Sequence, residues 1–119
     1  MNAPSFTRIL IQPETGAVLS VGRGQYRVPA DLQRAVRLRD GTCRAPGCGR
    51  RARACDLDHS VAWEDGGTTA VGNLACLCRH HHRMKHLPGW SLDHGPGGVL
   101  EWTTPAGRHH RTAPDPAPF

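Results

Sequence analysis

At 119 residues, 38% of them apolar and 5% aromatic, the chain is one domain with a thin core. Fourteen glycines and ten prolines imply turns and loops rather than long elements, and no apolar run reaches membrane length. The net charge of +5 suits a polyanion such as nucleic acid, although a solvated basic surface would give the same balance.

Residues 7–11 (TRILI) and 17–21 are apolar runs about the turn Pro13-Glu14-Thr15-Gly16, which reads as a β-hairpin. Arg23 and Arg27 follow it, as scaffold or as phosphate contacts. Residues 29–40 (PADLQRAVRLRD) read as a helix, with Pro29 in its first turn and Gly41 at its stop. Leu32, Ala35, Val36 and the stem of Arg39 share one face, which leaves Arg34 and Arg37 free to meet DNA. Residues 41–53 form a tight basic loop. Residues 54–58 read as a strand, 60–72 as a loop hinged at Gly66-Gly67, 74–77 as a second strand and 79–86 as a short helix stopped by Pro88-Gly89. Residues 90–93 and 99–103 read as a further hairpin, with Trp90 and Trp102 paired across it. Residues 111–119 are a Pro-rich tail.

The five cysteines are an odd number, and no leader pattern precedes them. The expectation is a reduced, cytoplasmic chain whose thiolates are free for metal. Cys43-x4-Cys48 and Cys78-x2-His81 are two ligand pairs, the form in which a structural zinc is usually offered its tetrahedral S/N set. Such a closed site would supply folding free energy on the order of 10 kcal/mol. Cys55 is the first substitute ligand, and His80 competes with His81. Cys55 and Cys76 otherwise fill core.

Asp58-His59 sits at a strand end. Asp58 is a hard oxygen ligand for Mg²⁺ or Mn²⁺, and a neutral His59 can take a proton from an attacking water. Adjacent strand residues face opposite ways, so the chain must bend after His59 for both to serve one site. Asn73 can pin that loop through both ends of its amide. His82 and His86 share a helix face, where His82 can complete the cation site with Asp58 and His86 is a further ligand candidate.

In this order (C-x4-C, D-H, G-G, N-L, L-C-x2-H-H-x2-K) the pattern over about residues 39–86 resembles the HNH endonuclease family. The letters of that name fall on His59, Asn73 and His82. The resemblance implies an α+β fold: a small, treble-clef-like ββα-metal domain with a structural zinc, preceded by a hairpin and helix and followed by a hairpin. The corresponding segments are 1–28, the core at 29–88, 89–110 and the tail at 111–119. It also implies His59 as general base, Asn73 orienting it, and Asp58 with His82 holding a catalytic cation (Mg²⁺ or Mn²⁺, with Zn²⁺ or Ni²⁺ as further candidates). The product would be a 5′ phosphate. Family members often carry Pro in a DH-x2-P pattern, where this chain has Ala62. GRGQYRVPADL and PGWSL further resemble the C-terminal part of bacterial HNH proteins with a long helical N-terminal region, which implies an upstream domain or partner.

The expected function is hydrolysis of DNA phosphodiesters, with Arg50, Arg51, Arg53, Arg79, Arg83 and Lys85 on phosphates. No aromatic stacking platform is evident, which favours duplex DNA over RNA. The alternative is a zinc-stabilised DNA-binding module that does not cut. Such a module would keep the Cys/His set and the Arg patch without needing Asp58, His59, Asn73 and His82 together.

Overall fold

The computed structural model describes residues 10–11, 18–24 and 26–114. In chain order the elements are β1 (Leu10–Ile11), β2 (Val18–Gly22), α1 (Ala30–Asp40), β3 (Asp56–His59), β4 (Thr69–Ala70), β5 (Leu74–Leu77), α2 (Arg79–Lys85), β6 (Ser91–His94), β7 (Leu100–Thr103) and β8 (His109–Thr112). The result is an α+β arrangement of three small antiparallel sheets and two α-helices among the described residues. No helix among them is long and apolar enough to cross a membrane.

Helix α1 forms where its apolar residues recur at helical spacing. Leu32 and Val36, one turn apart, are fully buried, while Ala35 and Arg39 are half-buried beside them. Pro29 is the N-cap, one position earlier than expected. Gly41 closes the helix at φ +70°, donating its N–H to the Arg37 carbonyl.

Strands β3 and β5 pair in unbroken register from Asp56 opposite Leu77 to His59 opposite Leu74. Strand β3 was expected at 54–58. It starts at Asp56 because Ala52–Ala54 coils into a 3-10 turn, and it runs on to His59. All four residues of β5 are buried, so the strand reads as a continuous apolar run without alternation. With Leu32, Val36, Leu100 and Trp102 they form one core.

Both flanking sheets have one strand more than the sequence suggested. Strands β1 and β2 pair as expected, although residues 7–9 and 17 of that hairpin lie outside the described residues. The supposed loop 60–72 contributes β4, which pairs along β2 (Gly22 opposite Thr69). Two residues carry no periodic signal, and it is the partner that makes them a strand. At the other end, β6 and β7 form the expected hairpin and β8 adds to it. Arg111 and Thr112 therefore belong to a sheet, not to a tail that starts at 111. The Thr112 hydroxyl donates to the Arg44 carbonyl at 3.2 Å, which holds that strand end down. Trp90 and Trp102 meet edge to face with centroids 6.5 Å apart, but the residue directly across from Trp102 is Leu92.

A buried carboxylate joins these parts. Asp40 accepts from Arg39 Nε (2.7 Å), Arg44 Nη1 (3.0 Å) and the Cys76 N–H (2.9 Å). Arg39 reaches on to the carbonyls of Val71 (2.6 Å) and Leu74 (2.5 Å). Arg44, expected on a basic loop, is 3% exposed. Arg37 does not face outward to DNA either, since it donates to the Ala52 and Cys55 carbonyls. Arg34 stays exposed beside Asp31.

Asp40→Ala leaves the Arg44 guanidinium buried without its counter-charge and the Cys76 N–H without an acceptor. We expect a loss of about 3–5 kcal/mol, read from urea denaturation of metal-replete protein. His94 gives a pH dependence. Its Nδ1 lies 2.9 Å from Ser60 Oγ, and Nε2 is buried without a partner among the described residues. Burial, helped by the charge of Arg39, holds its pKa down to about 4 from an ordinary 6.5. The unfolded chain therefore takes the proton first. Stability should fall as pH drops from about 6.5 toward about 4 and level off below. His94→Asn should flatten the His94 share of that slope, measured as denaturation midpoints against pH beside the wild type.

Candidate metal centres and active site

Residues 42–51 form a closed turn. Thr42 bridges to Arg51, the Cys43 N–H bonds the Arg50 carbonyl at 2.7 Å and the Cys48 N–H bonds Ala45 at 3.2 Å. Gly47 supplies the left-handed residue at φ +75° that the reversal requires. The second pair comes from the start of α2, where Cys78 is the N-cap and His81 lies one turn on.

The donor atoms of Cys43, Cys48, Cys78 and His81 all lie within 4.8 Å of one another. His81 Nδ1 is 3.2 Å from Cys78 Sγ and 3.6 Å from Cys43 Sγ. Three sulfurs and one imidazole at this spacing could hold a metal ion, and the soft donors suit a borderline cation. Burial pushes the Cys43 thiol up to about 12, so a bound cation is what would keep it a thiolate. Cys78 is lowered despite its burial, because the backbone N–H groups of His81 and His80 and the neighbouring thiols stabilise its anion.

The other two cysteines are outside this group of four. Cys55 Sγ bonds the Arg51 carbonyl at 3.3 Å, and Cys76 is fully buried with its thiol pushed up to about 12. His80 is exposed and packs edge-on against His81 without joining the set.

A second group, Asp58, His82 and His86, also has its donor atoms within 4.8 Å of one another. His82 Nε2 lies 3.2 Å from Asp58 Oδ1, and its Nδ1 lies 2.9 Å from Asp56 Oδ2. Bonding to Asp58, then to Asp56, raises the His82 pKa, because both carboxylates favour the charged form of the ring. A divalent cation would meet the same demand through one carboxylate oxygen and two imidazoles. Asp56 is a functional residue not among those expected, although the Asp-x-Asp spacing, which puts both carboxylates on one face of a strand, signals it. Asp56 is further paired with Arg79 at 3.1 Å, and the hydrogen bond from His82 holds its pKa below the usual value.

Lys85 was expected on phosphate and lies inside instead. Its side chain is 9% exposed, and Nζ donates to Asp58 Oδ2 (2.7 Å) and the His59 carbonyl (2.8 Å). The physical reason is helical phase, since residues 82, 85 and 86 occupy one face of α2.

Asp58 and His59 do serve one concavity, because β3 ends at His59 and the chain turns there. The turn is held by Asn73, whose Oδ1 accepts the Val61 N–H (2.8 Å) and whose Nδ2 donates to the carbonyls of Val61 (3.1 Å) and Thr68 (2.8 Å). A Cβ at Gly67 would collide with the Val61 carbonyl and come 2.9 Å from Asn73 Nδ2. Ala62 already sits at φ −57°, so the loop keeps a proline-compatible backbone without proline. Arg23 is a brace rather than a phosphate contact. It donates to the Trp63 (2.6 Å) and Gly67 (2.9 Å) carbonyls, with its guanidinium 4.0 Å from the Trp63 ring centroid.

His59 Nε2 lies 2.9 Å from Thr69 Oγ1. The His59 ring stacks on Tyr26, with centroids 5.2 Å apart at 13°, and Trp63 stands edge-on to both. An aromatic cluster therefore borders the site, contrary to the sequence reading. Tyr26 lies too far from His59 and Trp63 in the chain for sequence to bring the three together. Burial is the main cause that lowers the His59 pKa.

Asp58, His59, Trp63, His82 and His86 line one cavity of about 150 Å³. Arg79 and Arg83 line an adjoining concavity of about 410 Å³ with Asp56, His82 and His86. Arg50, Arg51 and Arg53 are exposed, but Arg51 and Arg53 belong to a separate groove of about 480 Å³ along α1 that has no acid, imidazole or thiol in its walls.

Cys48→Ala should lower bound metal to well below one equivalent and reduce the melting temperature, read by elemental analysis and thermal denaturation. A folded variant with a full metal complement would remove Cys48 from the set.

Residues 42–87 match the family model for HNH endonuclease. Two Mycobacterium tuberculosis proteins, uncharacterized protein Rv3776 and uncharacterized protein Rv2100, are similar to this chain. The first is 44% identical over 91 residues, which is 76% of this chain and 17% of the relative. The second is 46% identical over 90 residues, 75% and 16%. The chain thus spans about a sixth of the length of the curated relatives it matches. No solved structure gives a significant match. With the paired strands β3 and β5, helix α2 and the Cys/His groups in place, residues 42–87 are a domain of the HNH endonuclease family.

Proposed function

We propose that this domain is a metal-dependent endonuclease that hydrolyses DNA phosphodiester bonds, with His59 as general base. The observation that carries the reading is the shared cavity: an imidazole with a lowered pKa lines the same 150 Å³ space as the cation-ligand group Asp58, His82 and His86.

His59, neutral near pH 7, takes the proton of the attacking water. Asp56 fixes the His82 ring through Nδ1, which leaves Nε2 toward Asp58. Lys85 occupies Asp58 Oδ2, which leaves Oδ1 as the ligand oxygen. Asn73 keeps the 60–68 segment closed behind His59. Arg79 and Arg83, on the adjoining concavity, hold phosphates of the strand that enters. Asp58, His82 and His86 would hold a divalent cation, which would supply Lewis-acid stabilisation of charge on the phosphate and the leaving 3′ oxygen. Two imidazoles and a carboxylate suit Mn²⁺, Zn²⁺ or Ni²⁺ as well as Mg²⁺. The Cys43, Cys48, Cys78 and His81 set, closed at four ligands, would hold a structural Zn²⁺.

The test is nicking of supercoiled plasmid with Mg²⁺ or Mn²⁺ by wild type and His59→Ala, both folded and metal-replete. The variant should lose at least about 100-fold in rate. Cutting at the wild-type rate by the variant would remove His59 as base. Tight DNA binding without cutting by the wild type, across several cations, would make the domain a binding module.

A further inference from the structure

We propose that the Thr69 hydroxyl fixes the tautomer of His59, placing its hydrogen on Nε2 and making Nδ1 the nitrogen that accepts a proton. The inference rests on the reading of His59 as general base for its functional meaning, but not for its structural content.

Thr69 is fully buried, so its hydroxyl is closed to water. Its single proton has two neighbours: the Tyr26 carbonyl oxygen at 3.2 Å and His59 Nε2 at 2.9 Å. A carbonyl only accepts, so the hydroxyl donates to Tyr26. Among the described residues no other group donates to that carbonyl. Thr69 Oγ1 then has only lone pairs left for His59, and the imidazole must bring the hydrogen. The reverse arrangement, Thr69 donating to Nε2, would set the Tyr26 carbonyl oxygen against hydroxyl lone pairs 3.2 Å away and lose that hydrogen bond. A neutral imidazole carries one hydrogen, so Nδ1 is left with the basic lone pair. Among the described residues Nδ1 has no protein partner and is not sealed off, which leaves it available to a water.

The same parts fix the ring plane. Tyr26 stacks on His59, and a half-turn of the ring would replace Nε2 by a carbon against Thr69. Thr69 is itself held by β4, opposite Gly22. When Nδ1 takes the water proton, the imidazolium keeps its Nε2–H bond to Thr69 unchanged. Thr69 is thus a positioning residue acting through His59.

The tautomer can be read directly. Metal-replete protein labelled with ¹⁵N in histidine is examined by long-range ¹H–¹⁵N correlation at a pH where His59 is neutral, with its signals identified by their absence from His59→Gln. The wild type should show the Nε2–H form. Thr69→Val should give a mixture of tautomers and lower kcat about 10- to 100-fold with KM for DNA little changed, and Thr69→Ser should restore both. A wild type in the Nδ1–H form would overturn the proposal. So would a folded Thr69→Val that keeps a single Nε2–H form and full kcat. If Thr69→Val does not fold, the wild-type spectrum decides by itself. A wild type that shows the Nε2–H form and cuts no nucleic acid would sink the nuclease reading while the tautomer assignment stands.

Discussion

The Asp40 carboxylate is the constraint on which the rest of the molecule depends. It has no water to solvate it, so its charge must be met by protein, and three separate segments meet it. Arg44 brings in the turn that carries Cys43 and Cys48, the Cys76 amide brings in β5, and Arg39 runs through to the carbonyls of Val71 and Leu74 on either side of Asn73. One buried acid thereby fixes the cysteine-bearing turn, the central strand and the residue that closes the loop behind His59. Polar groups at such a point specify an arrangement more than they stabilise it, because each partner left behind would be costly to bury alone.

The second constraint is the shortness of α2. Seven residues make two turns, too few to hold a helix in water by propensity. This helix nonetheless faces two centres at once. Successive residues diverge by about 100° around a helix, so His81 turns toward the three cysteines while His82 turns toward Asp58. An ion at the cysteine set would tie the first turn of α2 to the 42–51 turn, and Lys85, bonded to Asp58 and the His59 carbonyl, ties the last turn to β3. The helix is set by its ends.

Much of this was legible in the chain because it is local. The two ligand pairs are short spacings, Cys-x4-Cys across a Pro-Gly turn and Cys-x2-His at a helix start, and they lie together as spacing requires. Strand β5 and the end of α1 followed from apolar pattern and glycine. What sequence did not reveal depends on chain separation. Arg44 and Lys85 are charges, and a charge in a basic stretch reads as surface until its carboxylate partner is known to be buried. Tyr26 and Trp63 are 37 positions apart in the chain, so no window contains the aromatic cluster around His59. Strands β4 and β8 are defined by their partners rather than by their own residues. Asp56 is the exception, since its alternation with Asp58 was present in the sequence.

The contacts of Tyr26 and Arg23 bear on modularity. The family match begins at residue 42, yet the acceptor for Thr69, the stacking partner of His59 and the brace across the Trp63 loop all come from residues 23–26, and the partner of β4 comes from β2. At the other end, Thr112 and Trp102 cover the Arg44 carbonyl. A piece cut at the family limits would keep every candidate ligand and lose the walls that orient them. The unit that could be moved intact into another protein is therefore residues 18–112, about twice the length of the motif that identifies it.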